Sequence, residues 1–163
     1  MNQLNEIRHK VGLSKPEFLR LLGAKEGRKH LLLNAGQENV DPLFLKRAEA
    51  ILAQYREFMR WLGGYCDAYE HTGINELTMP ELQDLTGLRE AHIVTLRNAG
   101  DLKTVRRGIE YLYTIDGLRE AMQVNGIALD QGRRRGPLGT AFLRWLAKAE
   151  TQARLGEPVA RAG

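Results

Sequence analysis

Apolar positions along the chain recur at helical spacing in short runs, and glycines or prolines separate the runs. Leu4, Ile7 and Val11 define an opening helix that stops at Gly12. Ser14-Lys15-Pro16-Glu17 then forms a capping-box start, with Phe18, Leu21 and Leu22 on one side of the helix and Gly23 closing it. A third helical stretch is expected over Lys25 to Asn34, ending at Ala35-Gly36. Asp41-Pro42 opens a longer helix with Leu45, Ala48, Ile51, Leu52 and Tyr55 inward, which is expected to reach Gly63-Gly64. Thr78-Met79-Pro80-Glu81 repeats the start signal, Leu82 and Leu85 form the stripe, and Gly87 is the stop. Leu88 to Ala99 is the next helix, with Ile93 and Leu96 inward.

The pattern then changes period. Leu102 to Val105 and Tyr111 to Ile115 alternate and carry β-branched or aromatic residues, so a hairpin is expected, with Arg106, Arg107 and Gly108 between its strands. Asp116 is expected to cap a short helix, GLREAM. The Gly/Arg-rich stretch DQGRRRG precedes a final amphipathic helix in which Phe142, Trp145, Leu146 and Ala149 share a side, and GEPVARAG reads as a frayed tail. The expected fold is mainly α: two helix-turn-helix units, the second with a β-hairpin wing, plus a C-terminal amphipathic helix. The divisions that follow are 1–62, a connector over 63–76, a winged unit over 77–126, and a basic arm, helix and tail over 127–163.

A short helix, a tight turn and a second short helix place the second helix in the DNA major groove, which is about 12 Å wide and admits one helix. In the second unit Leu88, Ile93 and Leu96 brace that helix. Arg89, Glu90, His92, Thr95 and Asn98 are left for its outer side, all able to bond base edges or phosphates. A hairpin directly after a reading helix is a wing. Lys103, Arg106 and Arg107 on it would neutralise phosphates. In the first unit Lys25, Arg28, Lys29 and His30 suit phosphates better than bases, with a packing or protein-contact role as the alternative. Arg133, Arg134 and Arg135 fit either a basic arm along a groove or a solvated linker.

Leu77 to Leu118 resembles the winged-helix domain of MerR-type regulators, phage excisionases and small DNA-packaging proteins. The shared features are LTMPEL, the turn TG, apolar Ile93 and Leu96, the exit Ala99-Gly100-Asp101-Leu102, an Arg-bearing wing and Tyr111-x-Tyr113. Gln83 and Leu112 depart from that pattern, and the long coiled coil and effector-binding cysteines of MerR sensors are absent. Leu4 to Leu52 resembles the Cro-type repressor helix-turn-helix through LNEIR, GLSKPEFLRLLG, NAG and VDPLFLKRAEAIL. Its departures are Leu19 and an irregular AKEGRKHLLL, where Gly27 costs about 1 kcal/mol relative to alanine. Together the two resemblances imply a sequence-specific double-stranded DNA-binding protein, a transcriptional regulator acting by repression, and phage or bacterial in type. A homodimer on a pseudo-palindrome is the expected form, joined through the last helix, where Phe142, Trp145 and Leu146 favour self-association, or through the long one. The alternatives are an architectural, excisionase-like or packaging protein, and a protein-interaction module or inhibitor on the same skeleton.

Charge sharpens this picture. Residues 1–36 carry a net +4, residues 37–87 a net −5, and residues 88–163 a net +5. Two basic blocks around an acidic one suit two polyanion-facing surfaces on a connector. With 163 residues, 43% of them apolar, the chain can build one domain or two small ones. Cys66 is the one cysteine, so no disulfide framework and no cysteine-rich zinc site is expected. His9, His30, His71 and His92 are scattered. No nucleophile–base pair or phosphate-cradling glycine loop appears, so neither an enzyme nor a cofactor is expected. No apolar run suits a membrane span and MNQLNEIRHK has no apolar h-region, so the expected location is cytoplasmic and nucleoid-associated.

Overall fold

In a computed structural model, the residues described are 1–25, 32–34, 36 and 40–154, with side chains described to residue 150. Among them are seven α-helices and one three-stranded antiparallel sheet: α1 Gln3–Val11, α2 Lys15–Leu22, α3 Pro42–His71, β1 Glu76–Leu77, α4 Met79–Thr86, α5 Glu90–Asn98, β2 Thr104–Arg107, β3 Glu110–Thr114, α6 Ile115–Asn125 and α7 Gly139–Arg154. The fold is mainly α with a hairpin, as expected. No helix among the described residues is long and apolar enough to cross a membrane.

The helix starts follow the capping chemistry of the sequence. Ser14 N donates to Glu17 Oε1 at 3.0 Å, and Asp41 accepts from Leu43 N at 2.9 Å. Three expectations are corrected. α3 does not end at Gly63-Gly64 but runs on to His71, because Phe58, Leu62 and Cys66 carry its buried stripe straight across the glycines. That packing outweighs a helix penalty of about 1 kcal/mol per glycine. The stripe itself begins at Phe44, and Leu45 and Leu52 lie only half-buried beside it. The cap of α6 is Thr114, whose Oγ1 accepts from Gly117 N at 3.0 Å, while Asp116 sits inside the first turn. The third helical stretch over Lys25 to Asn34 falls largely outside the described residues; Lys25 is exposed and non-helical, and Leu32 and Leu33 are buried.

α3 is the spine. It packs against α1 and α2 near one end and against α6 and α7 further along, and α7 in turn packs on α4. One apolar cluster therefore runs from Leu4 through Phe58 and Ile93 to Phe142, joining the N-terminal helices to α4, α5 and α7. Phe142 is fully buried, 5.2 Å from the Tyr55 ring and 5.6 Å from the Phe58 ring. It serves this core and is not free for a dimer contact, whereas Trp145 and Leu146 stay half-buried.

Asn125, at the end of α6, joins the parts. Its Nδ2 donates to Val11 O at 3.2 Å and to Tyr55 Oη at 2.8 Å, and its Oδ1 accepts from Leu138 N at 2.9 Å. It is fully buried, and burial pushes the Tyr55 phenol up to about 12. Gly136 presses so closely that a Cβ there would lie 2.1 Å from Asn125 Oδ1. Asn125→Ala should lower stability by roughly 3 kcal/mol in denaturant titration, since it strips three buried bonds and leaves their partners unpaired. Gly136→Ala should also destabilise, through overlap at the same atom, and wild-type midpoints for both would remove Asn125 from this role.

Candidate nucleic-acid interface

The second helix-turn-helix is built from α4, the turn at Gly87 and α5. Thr78 N donates to Glu81 Oε1 at 2.9 Å and Glu81 N returns a bond to Thr78 Oγ1 at 3.3 Å, which fixes the start of α4. Gly87 turns at φ +70°, and a Cβ there would also meet Arg144 Cβ at 3.2 Å. Left-handed backbone and close approach by α7 both call for glycine. α5 rests on buried Ile93 and Leu96, while Arg89, Glu90, Thr95 and Asn98 are exposed, as the helical spacing predicts.

His92 is the exception on that helix. It is half-buried, and its pKa is lowered by burial first and then by the cations of Arg135 and Arg144, with Glu17 opposing them. Expected on the outer side, it instead sits among groups from α2, α7 and the segment before α7. The first-half position on α5 lies under the incoming arm, a placement that periodicity within α5 does not contain.

The hairpin that follows is shifted from its expected bounds. Arg106 and Arg107 belong to β2, paired with Tyr111 and Glu110, and the turn itself is Gly108-Ile109. A two-residue hairpin turn needs positive φ, which Gly108 supplies at +66°. Ile109 at the tip is 92% exposed. β1 adds a third strand, giving the order β1-β3-β2, with Leu77 opposite Tyr113. A two-residue strand is too short to show a period, so it escaped the sequence reading.

Strand alternation puts Tyr111 and Tyr113 on one face of β3, and that face meets α5. Arg97 stands 4.1 Å over the Tyr111 ring and donates to Tyr113 Oη at 3.2 Å, while Arg106 stands 5.3 Å over the same ring. Arg97 thus ties hairpin to helix, a role that helical spacing within α5 does not mark because its two aromatic partners lie 14 and 16 residues further along the chain. Arg107 makes a two-point pair with Glu76, at 2.7 and 3.2 Å, which holds the Glu76 carboxyl below its usual range and raises Arg107. Lys103 pairs with Glu120 at 2.6 Å. All four side chains are solvent-accessible, and pairs of this kind exchange partners readily.

The three arginines before α7 do not form a free arm. The chain makes a 3₁₀ turn at Leu129–Gln131, and Arg133 binds Asp101 through both nitrogens at 2.8 Å, raising its pKa. Arg135 lies 3.6 Å from Glu17 of α2, and Arg134 is exposed. The reading of this stretch as a flexible arm or solvated linker is therefore corrected: bidentate pairing at one end and the Asn125 packing of Gly136 at the other dock it on the body. Of the basic residues expected in the first unit, Lys25 is exposed, and Arg28, Lys29 and His30 lie outside the described residues. Cys66 is buried, with its thiol pushed up to about 11 by burial. Set against protein-family models, curated proteins and solved structures, the chain matches none.

The fold disfavours the His92 imidazolium, so at mildly acidic pH the unfolded chain binds more protons than the folded one. Stability from this group is fully present above the ordinary histidine range and falls as pH drops through that range and below. His92→Gln should accordingly flatten the decline of Tm between about pH 7 and pH 5. Superimposable Tm–pH curves would show that His92 is not held in a desolvated, cation-flanked position.

Proposed function

We propose that the chain binds double-stranded DNA, with α5 in the major groove and the β2–β3 wing on the adjoining backbone, and that it acts as a sequence-specific transcriptional regulator of the repressor type. The observation that carries this reading is the combination on one element pair: α5 is braced by Ile93 and Leu96 yet keeps Glu90, Thr95 and Asn98 exposed, and the wing is locked beside it through Arg97 and the two tyrosines. Glu90 can accept from a cytosine amine, Asn98 suits adenine, and Arg89 at the N-cap suits guanine or a phosphate. Arg106 and Arg107 supply the sequence-independent share of affinity, Arg107 by exchanging Glu76 for a phosphate. The resemblance of Leu77 to Leu118 to MerR-type winged helices supports the same docking. Recognition of two half-sites by a homodimer fits this mode, with the half-buried Trp145 and Leu146 of α7 as the contact.

A second reading, a DNA-bending architectural or excisionase-like protein, draws on the exposed Ile109 at the wing tip. Apolar side chains set between cations can wedge between base steps from the minor groove and kink the duplex.

Arg106→Ala combined with Arg107→Ala should weaken binding similarly on all duplexes and reduce the slope of log K against log salt by about 2 in a fluorescence titration. Unchanged affinity would remove the wing from the interface. Circular-permutation gels separate the two readings of the whole: loss of a bend in Ile109→Ala favours the architectural role, whereas an unbent duplex with wild-type protein leaves the repressor.

A further inference from the structure

A cavity of about 300 Å³ lies where the end of α1, the start of α2 and the segment before α7 meet. Arg8, His9, Lys15, Arg133 and Arg134 line it, with Pro16 and Leu129 as its apolar wall. Arg8 is 7% exposed and spends its bonds on neutral acceptors: Nε donates to Asn5 Oδ1 at 2.7 Å, and NH1 to Leu13 O at 3.2 Å. Its NH2 lies 3.3 Å from His9 Nε2, so that nitrogen accepts, and the opposite Nδ1 donates to Asp130 at 2.6 Å. Burial lowers the Arg8 pKa, as expected of a guanidinium with no carboxylate in direct contact.

The charges around the cavity do not balance. Four cations line it, and two carboxylates stand behind them, Asp101 on Arg133 and Asp130 on His9. Arg8, Lys15 and Arg134 have no carboxylate partner among the described residues, and the four cations set against Asp101 and Asp130 sum to +2. Two positive charges are left facing a concave, partly apolar space at the small end of the range for ligand pockets. A phosphodiester carries one negative charge, while a phosphate monoester carries about −1.5 to −2 near neutral pH. We propose that this cavity binds the terminal phosphate of a small phosphorylated molecule, with Arg8, Lys15 and Arg134 as the phosphate ligands and Pro16 and Leu129 against the remainder. The ligand would bridge α1, α2 and the segment that Arg133 ties to the exit of α5, so its binding would be felt at Asp101. The inference is independent of the DNA reading.

The test is thermal melting and calorimetry of the full chain with inorganic phosphate, methyl phosphate and dimethyl phosphate, at ionic strength held constant with sodium chloride. Inorganic and methyl phosphate at about 10 mM should raise Tm by about 2 °C or more above the chloride control, and dimethyl phosphate should not. Lys15→Gln and Arg134→Gln alter exposed residues that keep the fold, and each should weaken phosphate binding about tenfold, the loss expected of one charge-assisted hydrogen bond. The proposal is overturned by any of three results: a shift no larger than that of chloride, equal shifts with the monoester and the diester, or undiminished binding in both variants. A fourth result also overturns it and assigns the cavity to the nucleic-acid interface: duplex DNA affinity that falls in Lys15→Gln and Arg134→Gln while free phosphate never binds.

Discussion

Asn125 holds the molecule in one piece. A single amide, sealed from water, reaches the C-terminal carbonyl of α1, the phenol of Tyr55 in the middle of α3, and the backbone of Leu138 just before α7. Each of those elements belongs to a different stretch of sequence, and none would find the others by local propensity. A buried amide left half-bonded costs more than it returns, so this bond set selects one mutual arrangement and penalises the rest. Gly136, pressed against the same amide, is part of that constraint.

From this arrangement follows the placement of charge. The spine α3 carries Asp67 and Glu70, which clamp Arg119 and raise its pKa. Besides Lys46, Arg47, Arg56 and Arg60 on the spine, basic side chains gather on the hairpin and where the segment before α7 folds back over α1, α2 and the start of α5. His92 registers that convergence through its depressed pKa, and Arg133 anchors it on Asp101. The spine itself is balanced, with Glu49, Glu57, Asp67 and Glu70 against Lys46, Arg47, Arg56 and Arg60, so the acidic excess lies beside it, on Asp41, Glu76, Glu81 and Asp84. The two basic blocks meet where Arg135 approaches Glu17 and where Arg8, Lys15, Arg133 and Arg134 share a cavity.

The wing and its helix behave as a unit because cation–aromatic contacts join them. Arg97 crosses from α5 to Tyr111 and Tyr113, and Arg106 reaches the same Tyr111 ring from β2. Such contacts orient two cations without consuming their charge, which keeps it available to an incoming anion. Preorganisation of this kind suits the DNA docking proposed for the pair.

The sequence by itself determined the local elements. Capping boxes at Ser14 and Thr78, the glycine stops at Gly12, Gly23 and Gly87, the inward stripe of α5 and a hairpin carrying Arg106 and Arg107 were all legible, because their physics acts within a few residues. Only the tertiary structure decided that α3 continues through Gly63-Gly64, that Phe142 serves the core, that His92 turns inward, and that Arg133 is spent on Asp101. Each of these depends on a partner tens of residues away. Packing and ion pairing at that separation overrule local preference by amounts that no window of neighbouring residues contains.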